Sequence, residues 1–325
     1  MHAWLCENPI GVDALTWKEL PTPQPGKGQV LVRIQAASLN FPDLLIVQNK
    51  YQLKPELPFV PGAEYAGVIE AVGEGVTGLQ VGQAVACLAG TGGFGTHTLA
   101  PARQCLPLPP GFDPVHAAAF TMIYGTSHHA LLDRGQLKPG ETVLVLGAAG
   151  GVGMSAIQIA KLAGARVIAA ASTDEKCDFC RQLGADETIN YSTQDLRERL
   201  KELTGGKGPD VIYDPVGGEY TEPALRSLAW RGRHLVIGFT AGEIPAIRIN
   251  LPLVKGTSIV GVFWGEFARR EPQANAAMLQ ELVGWYMQGK LKPAIDTTMP
   301  MSELKAAYAR MASRQVKGKL VLVNS

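Results

Sequence analysis

The amino-acid sequence predicts an α/β protein in which a central parallel-sheet domain is joined to a second, β-rich and barrel-like domain. Three observations lead there. Beyond residue 140, short apolar runs at 142–146, 166–171, 211–213 and 235–237 alternate with helix-period stretches at 152–163, 174–183, 195–203 and 221–229. Buried strands separated by helices imply parallel βαβ units. Between residues 29 and 110, short β-rich pieces such as AGVIEAV and QAVACLA are instead broken by Gly and Pro, with little sustained helical period. That is the mark of an irregular barrel. Third, 325 residues suit about two domains of ~100–200 residues, each with its own core.

Taken in order, residues 29–37 (QVLVRIQAA) place Val30, Val32, Ile34 and Ala36 on one face and predict a half-buried strand. The helix at 193–203 has Ser192 and Asp195 as a capping box, Leu196, Leu200 and Leu203 as its buried stripe, and Gly205-Gly206 as its stop. Beyond residue 257 come a strand (SIVGVFW), an amphipathic helix within 273–288, a shorter helix near 302–313 and a last strand, KLVLV.

Composition excludes several classes. With 30 Lys+Arg against 29 Asp+Glu the formal charge is +1, and no basic, aromatic-interleaved patch marks a nucleic-acid binder. The amino terminus has no basic segment followed by an apolar one. No apolar run reaches the ~18 residues of a membrane-spanning helix. The expectation is a cytoplasmic protein without membrane or nucleic-acid partners. Five scattered cysteines fit reduced thiols better than a disulfide framework.

The most informative segment is 140–161, GETVLVLGAAGGVGMSAIQIAK, where a strand runs into a glycine turn and then a helix. That is the context a dinucleotide fingerprint requires. Gly150 lets the backbone approach a diphosphate and Gly153 lets the helix pack close on the strand, while Ala148 replaces the first glycine of G-x-G-x-x-G. The free N–H groups of the helix amino end would hold the anion; the bland alternative is a tight turn with no ligand.

This segment resembles the signature of the zinc-independent quinone oxidoreductases of the medium-chain dehydrogenase/reductase superfamily, in its AAGGVG core and in Gln158 and Lys161. The resemblance extends through ELPTPQPGKGQVLVRIQAASLN, PGAEYAGVIEAVGEGV, the INY at 189–191 and the late GKLVLV. It implies a GroES-like catalytic domain made from both chain ends (1–121 and 261–325) around a central Rossmann domain (122–260). It also implies that Thr126, Ala149, Gly150, Gly151, Val152, Gly238 and Phe263 face the cofactor.

NAD-selective sites carry an acid about 20 residues past the glycines, at the end of the second strand. Ser172 stands there, and a serine can donate to a 2′-phosphate that a carboxylate would repel. Lys176 follows about one helical turn later. By resemblance, Lys176, Tyr191 and Arg314 hold the 2′-phosphate of NADPH, the expected cofactor. The structural alternatives are Ser172 as a helix N-cap with Glu175, Lys176 as a solvated charge and Tyr191 as packing.

Zinc members of the superfamily use a Cys and a His-Glu pair; here Asn40 stands for the Cys and Ala63 for the His of Gly62-Ala63-Glu64. Only Cys87 and Cys105 lie near the structural-zinc region. Both sites lack ligands Zn²⁺ requires, so no metal is expected. Cys177 and Cys180 form a C-x-x-C on a helix, without the strand-to-helix placement of a redox motif.

With no Lewis acid, the expected acceptor is electron-poor: a quinone, or an alkene conjugated to a carbonyl. The resemblance places Asn40, Asp43 and Tyr51 around it, Asn40 bonding the ribose or the substrate oxygen and Tyr51 donating to the oxygen that gains charge. Three departures from the family pattern are Asn49 in place of a Gly, Thr126-Ser127-His128 in place of Thr-x-Tyr, and a bulky Phe263-Trp264; His128 reads as packing. Enoyl or 2-alkenal reduction is the alternative activity, and a non-catalytic cofactor-binding protein the alternative of another class. The apolar strand near 258–263, at the expected edge of the Rossmann sheet, predicts a homodimer. The 37 glycines, well above the ~7% usual share, find use in the cofactor turn and in turns of the β domain.

Overall fold

The computed structural model describes residues 1–324 and divides into two compact units, Met1–Met122 with Ile295–Ser325, and Ile123–Ala294. The first boundary falls within a residue or two of the expected one; the return comes at 295, not at 261. The reason is pairing. Ser258–Gly261 lies parallel to Arg233–Val236 as the last strand of the second unit's sheet, and residues 262–294 pack on that same unit. The Trp264 ring stands 2.7 Å from where a Cβ on Gly125 would be, and the Lys292 carbonyl accepts from the Gln158 amide at 2.9 Å.

The first unit holds a seven-stranded sheet. Its order is Ile295–Pro300, Lys319–Val323, Gln29–Ser38, Glu64–Val72, Ala84–Leu88 and Cys105–Pro107, with His97–Pro101 also on Gln29–Ser38. Both chain ends thus build one sheet, and all neighbours except the first pair run antiparallel. Gln29–Ser38 has three partners, so it is not half-buried: Leu31 and Ala37 are covered as well as Val30, Val32 and Ile34. At Gly67 a Cβ would lie 2.1 Å from the Arg33 carbonyl oxygen, beside an irregularity in the strand register, so only glycine permits that approach. Trp4, Ile34, Tyr65, Ile69, Phe94 and Tyr308 centre the core.

The second unit is a six-stranded parallel sheet in the order Glu187–Asn190, Arg166–Ala171, Thr142–Val145, Val211–Asp214, Arg233–Val236, Ser258–Gly261. The strand order reverses beside Thr142–Val145, and the crevice at such a switch point is where open α/β sheets bind ligands. The helices Gly151–Leu162, Asp174–Gln182, Leu196–Leu203 and Thr221–Ser227 alternate with the strands as read from the sequence. Two caps differ. Asp195 alone caps Leu196–Leu203, accepting from Glu198 N at 2.9 Å, so the helix starts three residues later than expected and Ser192 stays outside it. Thr173, not Ser172, caps Asp174–Gln182, accepting from Lys176 N at 3.2 Å, which frees the Ser172 hydroxyl for other work. No helix among the described residues is long and apolar enough to cross a membrane.

Candidate active site

In the second unit, the glycine turn joins Thr142–Val145 to the helix Gly151–Leu162. Gly147 takes a positive φ of 58°, which glycine adopts at no steric cost. A Cβ on Gly153 would sit 2.5 Å from the Gly147 oxygen and 2.6 Å from the Ala148 Cα, so the helix rests directly on the turn. Gly150 is the N-cap and no side chain caps this end, so the N–H groups contributed by Gly151 and Val152 remain for an anion. Ala149 is buried beneath them. An uncapped helix end behind a close-packed glycine turn fits a dinucleotide diphosphate.

At the end of Arg166–Ala171, the Lys176 ammonium donates to Ser172 Oγ at 3.3 Å. Hydroxyl and cation therefore face one spot, the pair a 2′-phosphate needs. Asp174, whose charge would oppose that anion, accepts instead from the Asn190 amide at 2.8 Å. Tyr191 continues from Asn190, its N–H bonded to the Ala171 carbonyl at 3.1 Å and its ring against Tyr220, 4.6 Å between centroids. Ser172 and Lys176 are thus together, and Tyr191 joins them through its backbone bond to Ala171, the residue before Ser172. Arg314 belongs to the first unit, just past the helix Leu304–Ala312, with φ 58°.

Gly238 follows Arg233–Val236, and its N–H meets the Asp214 carbonyl at 3.4 Å. Thr126 is half-buried on Thr121–His128, one residue from the Gly125–Trp264 contact, while Phe263 precedes Trp264 and is 59% exposed. The structure therefore brings the Thr126 and Phe263 segments together. His128 turns elsewhere, its Nε2 3.0 Å from Glu281 and its ring 5.7 Å from Trp285, in keeping with the packing role. Ser127, not singled out from the sequence, bonds Ser155 at 2.7 Å and Tyr213 at 2.9 Å and so ties the helix Thr121–His128 to the cofactor turn. Asp214, also unforeseen, accepts from Val216 N and Gly217 N, each at 2.9 Å, and bonds Thr221 at 2.7 Å.

The first unit contains a buried polar cluster around Asn40. Asn40 precedes the short helix Phe41–Ile46, and Asp43 on that helix accepts from Asn40 N at 2.8 Å and Ala63 N at 2.9 Å. Burial pushes the Asp43 carboxyl up to about 7, against the downward pull of those two N–H groups and of Lys319. The Asn40 amide is engaged at both ends: its Oδ1 accepts from Lys319 Nζ at 2.6 Å and its Nδ2 donates to Glu64 at 3.0 Å. Glu64 also accepts from Ser38 Oγ at 2.8 Å and Met122 N at 2.7 Å. Lys319 further donates to the Leu39 carbonyl at 2.9 Å and stands 3.6 Å from Glu64. Ser38 and Lys319, and the partners of Glu64, escape sequence reasoning because a lone polar group in an apolar strand such as KLVLV shows no partner until the sheet forms. Tyr51 packs half-buried against the core edge. Burial and then the Asp43 charge push its hydroxyl up, so it keeps its proton at neutral pH.

Residues 26–110 match the family described as alcohol dehydrogenase GroES-like domain, and residues 151–282 the family described as zinc-binding dehydrogenase. The chain is 36% identical to the quinone oxidoreductase-like protein 2 homolog of Nematostella vectensis, over 99% of this chain and 88% of that one. The chain belongs to the quinone oxidoreductase family of the medium-chain dehydrogenases/reductases. Within this family lies a second kind of relative, the 2-haloacrylate reductase of a Burkholderia species, 35% identical over 96% of both chains. Among solved structures, the mycobacterial protein Rv1454c in complex with NADPH superposes with a TM-score of 0.93 at 30% identity, covering 100% of each chain. As a quinone oxidoreductase family member, the chain is an oxidoreductase with a Rossmann unit and a GroES-like unit.

Proposed function

We propose that the protein is an NADPH-dependent reductase that transfers hydride to a quinone without zinc. The observation that carries the cofactor assignment is the Lys176 ammonium on the Ser172 hydroxyl at the strand end where NAD sites place an acid. The NADPH complex of the mycobacterial relative supports it. NADPH supplies the hydride; the chain's own groups bind, orient and hold protons. The amino end of Gly151–Leu162 would hold the diphosphate, and Ser172, Lys176 and Tyr191 would hold the 2′-phosphate. Thr126, Gly238 and Phe263 are the residues that would border the nicotinamide. Asn40, fixed by Lys319 and Glu64, and the buried Asp43, whose two oxygens accept from Asn40 N and Ala63 N, hold in place the helix Phe41–Ile46 that leads to Tyr51. The protonated Tyr51 hydroxyl donates to the acceptor oxygen.

Zinc independence rests on donor chemistry. Asn40 and Ala63 offer neither thiolate nor imidazole, and both Glu64 oxygens are already engaged. The experiment is an NADPH- and NADH-oxidation screen across quinones, 2-enals and enoyl thioesters, with and without a chelator. Quinone turnover that prefers NADPH and ignores the chelator is the expected result; loss of activity on chelation overturns zinc independence.

The 2-haloacrylate reductase relative favours a second reading, reduction of an activated C=C, for which a placed proton donor matters more. Turnover of 2-enals without quinones, abolished in Tyr51→Phe, would select it. We further propose a homodimer through the strand Ser258–Gly261. That strand is the sheet edge, and Ile259 on it and Leu253 and Val254 just before it are exposed, an apolar face suited to a second copy.

A further inference from the structure

Cys87 and Cys105 lie directly opposite each other on antiparallel strands, Ala84–Leu88 and Cys105–Pro107. Their sulfurs are 3.5 Å apart, with the Cys87 thiol donating to Cys105 Sγ. Facing residues in such a ladder have Cβ atoms at ~4.5–5.5 Å, close to the ~3.5–4.5 Å of a disulfide. Cys105–Pro107 is three residues long and forms the edge of its sheet, so it can make the remaining shift without disturbing a further strand. We propose that Cys87 and Cys105 are a reversible oxidation site, a dithiol that closes to a disulfide under hydrogen peroxide.

Access and polarity set the order of events. Cys105 keeps 8% of its surface in solvent and Cys87 none, and the hydrogen bond from Cys87 pulls the Cys105 thiol down while Cys87 is pushed well up. Cys105 is therefore the attacking sulfur. It takes one oxygen from the peroxide as the O–O bond breaks and water leaves, giving a sulfenic acid. Cys87 then attacks that sulfur, the S–S bond forms and a second water leaves. Two thiols and one peroxide become one disulfide and two waters. The other cysteines are placed differently. Cys6 pairs across its bridge with Phe59 and not with a thiol, and burial pushes Cys177 up and Cys180 up to about 12. The cross-link would form opposite Tyr65, the residue after Glu64.

The test treats the purified full-length protein with hydrogen peroxide, then alkylates it under denaturing conditions and maps it by mass without reductant. The chain has five free thiols. The expected result is a loss of two alkylatable thiols, a mass lower by two hydrogens, and a linked peptide pair holding Cys87 and Cys105, all restored by dithiothreitol and absent in Cys105→Ser. The idea is overturned if all five thiols survive, if Cys177 pairs with Cys180 instead, or if Cys105 gains two or three oxygens while Cys87 stays free. The wild-type map decides this even where a variant fails to fold.

Discussion

At Asp43, burial outweighs hydrogen bonding. The carboxyl is held at about 7 against an ordinary 3.8, so the folded chain binds this proton more tightly than the unfolded one. For an acid raised on folding, the stabilisation is full below the ordinary value and is lost as pH rises through the folded value. Between pH 5 and pH 8 the wild type should lose roughly 2–3 kcal/mol of stability that Asp43→Asn does not lose (about 2 pH units at ~1.36 kcal/mol each), and its melting temperature should fall correspondingly further; parallel pH profiles in scanning fluorimetry would refute it. Lys319 is the compensating charge. Lys319→Met strands Glu64 in the core and should cost about 3–5 kcal/mol in chemical denaturation. Past the end of Arg166–Ala171, Lys176→Glu puts repulsion where the 2′-phosphate would bind, so KM for NADPH should rise about tenfold or more (at least ~1.4 kcal/mol) while that for NADH changes little. Equal changes in steady-state kinetics would return Lys176 to the role of a solvated charge. Much of this scale was legible: the glycines form one local turn, and Ser172 and Lys176, about one helical turn apart, form a second at the end of the next strand. Lys319 was not legible, because its partner Asn40 lies 279 residues away and only sheet pairing unites them.

Among elements, the helix Gly151–Leu162 illustrates how a sequence motif becomes packing. Gly153 is present because the strand-to-helix turn leaves no room for a methyl group. Gly153→Ala should lower stability by about 1–3 kcal/mol and weaken NADPH binding, measured by thermal shift with and without cofactor; a variant that binds as wild type would mean the turn can move. The strands and helices of the Rossmann unit were readable because apolar periodicity reports burial directly. Their ends were less so. Ser172 and Thr173 are both competent caps, and which hydroxyl reaches the helix depends on backbone direction at Thr173, whose φ and ψ of −145° and 157° turn it to Lys176 N. The strand Ser258–Gly261 was expected at the edge of the Rossmann sheet and lies there; that residues 262–294 stay with the same unit was not legible, since an amphipathic helix does not show in its sequence which sheet it covers.

For the whole molecule, the exposed edge is the feature that reaches beyond one chain. Ile259→Lys puts a charge on that edge and should convert a homodimer to monomer in sedimentation velocity at micromolar concentration; a wild-type monomer under the same conditions would remove the proposal. NADPH at 100 times its Kd should stabilise the native protein by about 2.7 kcal/mol.

By itself, the sequence determined the two-unit α/β plan and the cofactor turn, because each is written in contiguous residues and their periodicity. Tertiary structure alone decided that the chain returns to its first sheet at Ile295, that Lys319 and Glu64 clamp Asn40, and that Cys87 faces Cys105. Those facts depend on which strands pair across long stretches of chain, and pairing is settled by the burial and hydrogen bonding of whole sheets.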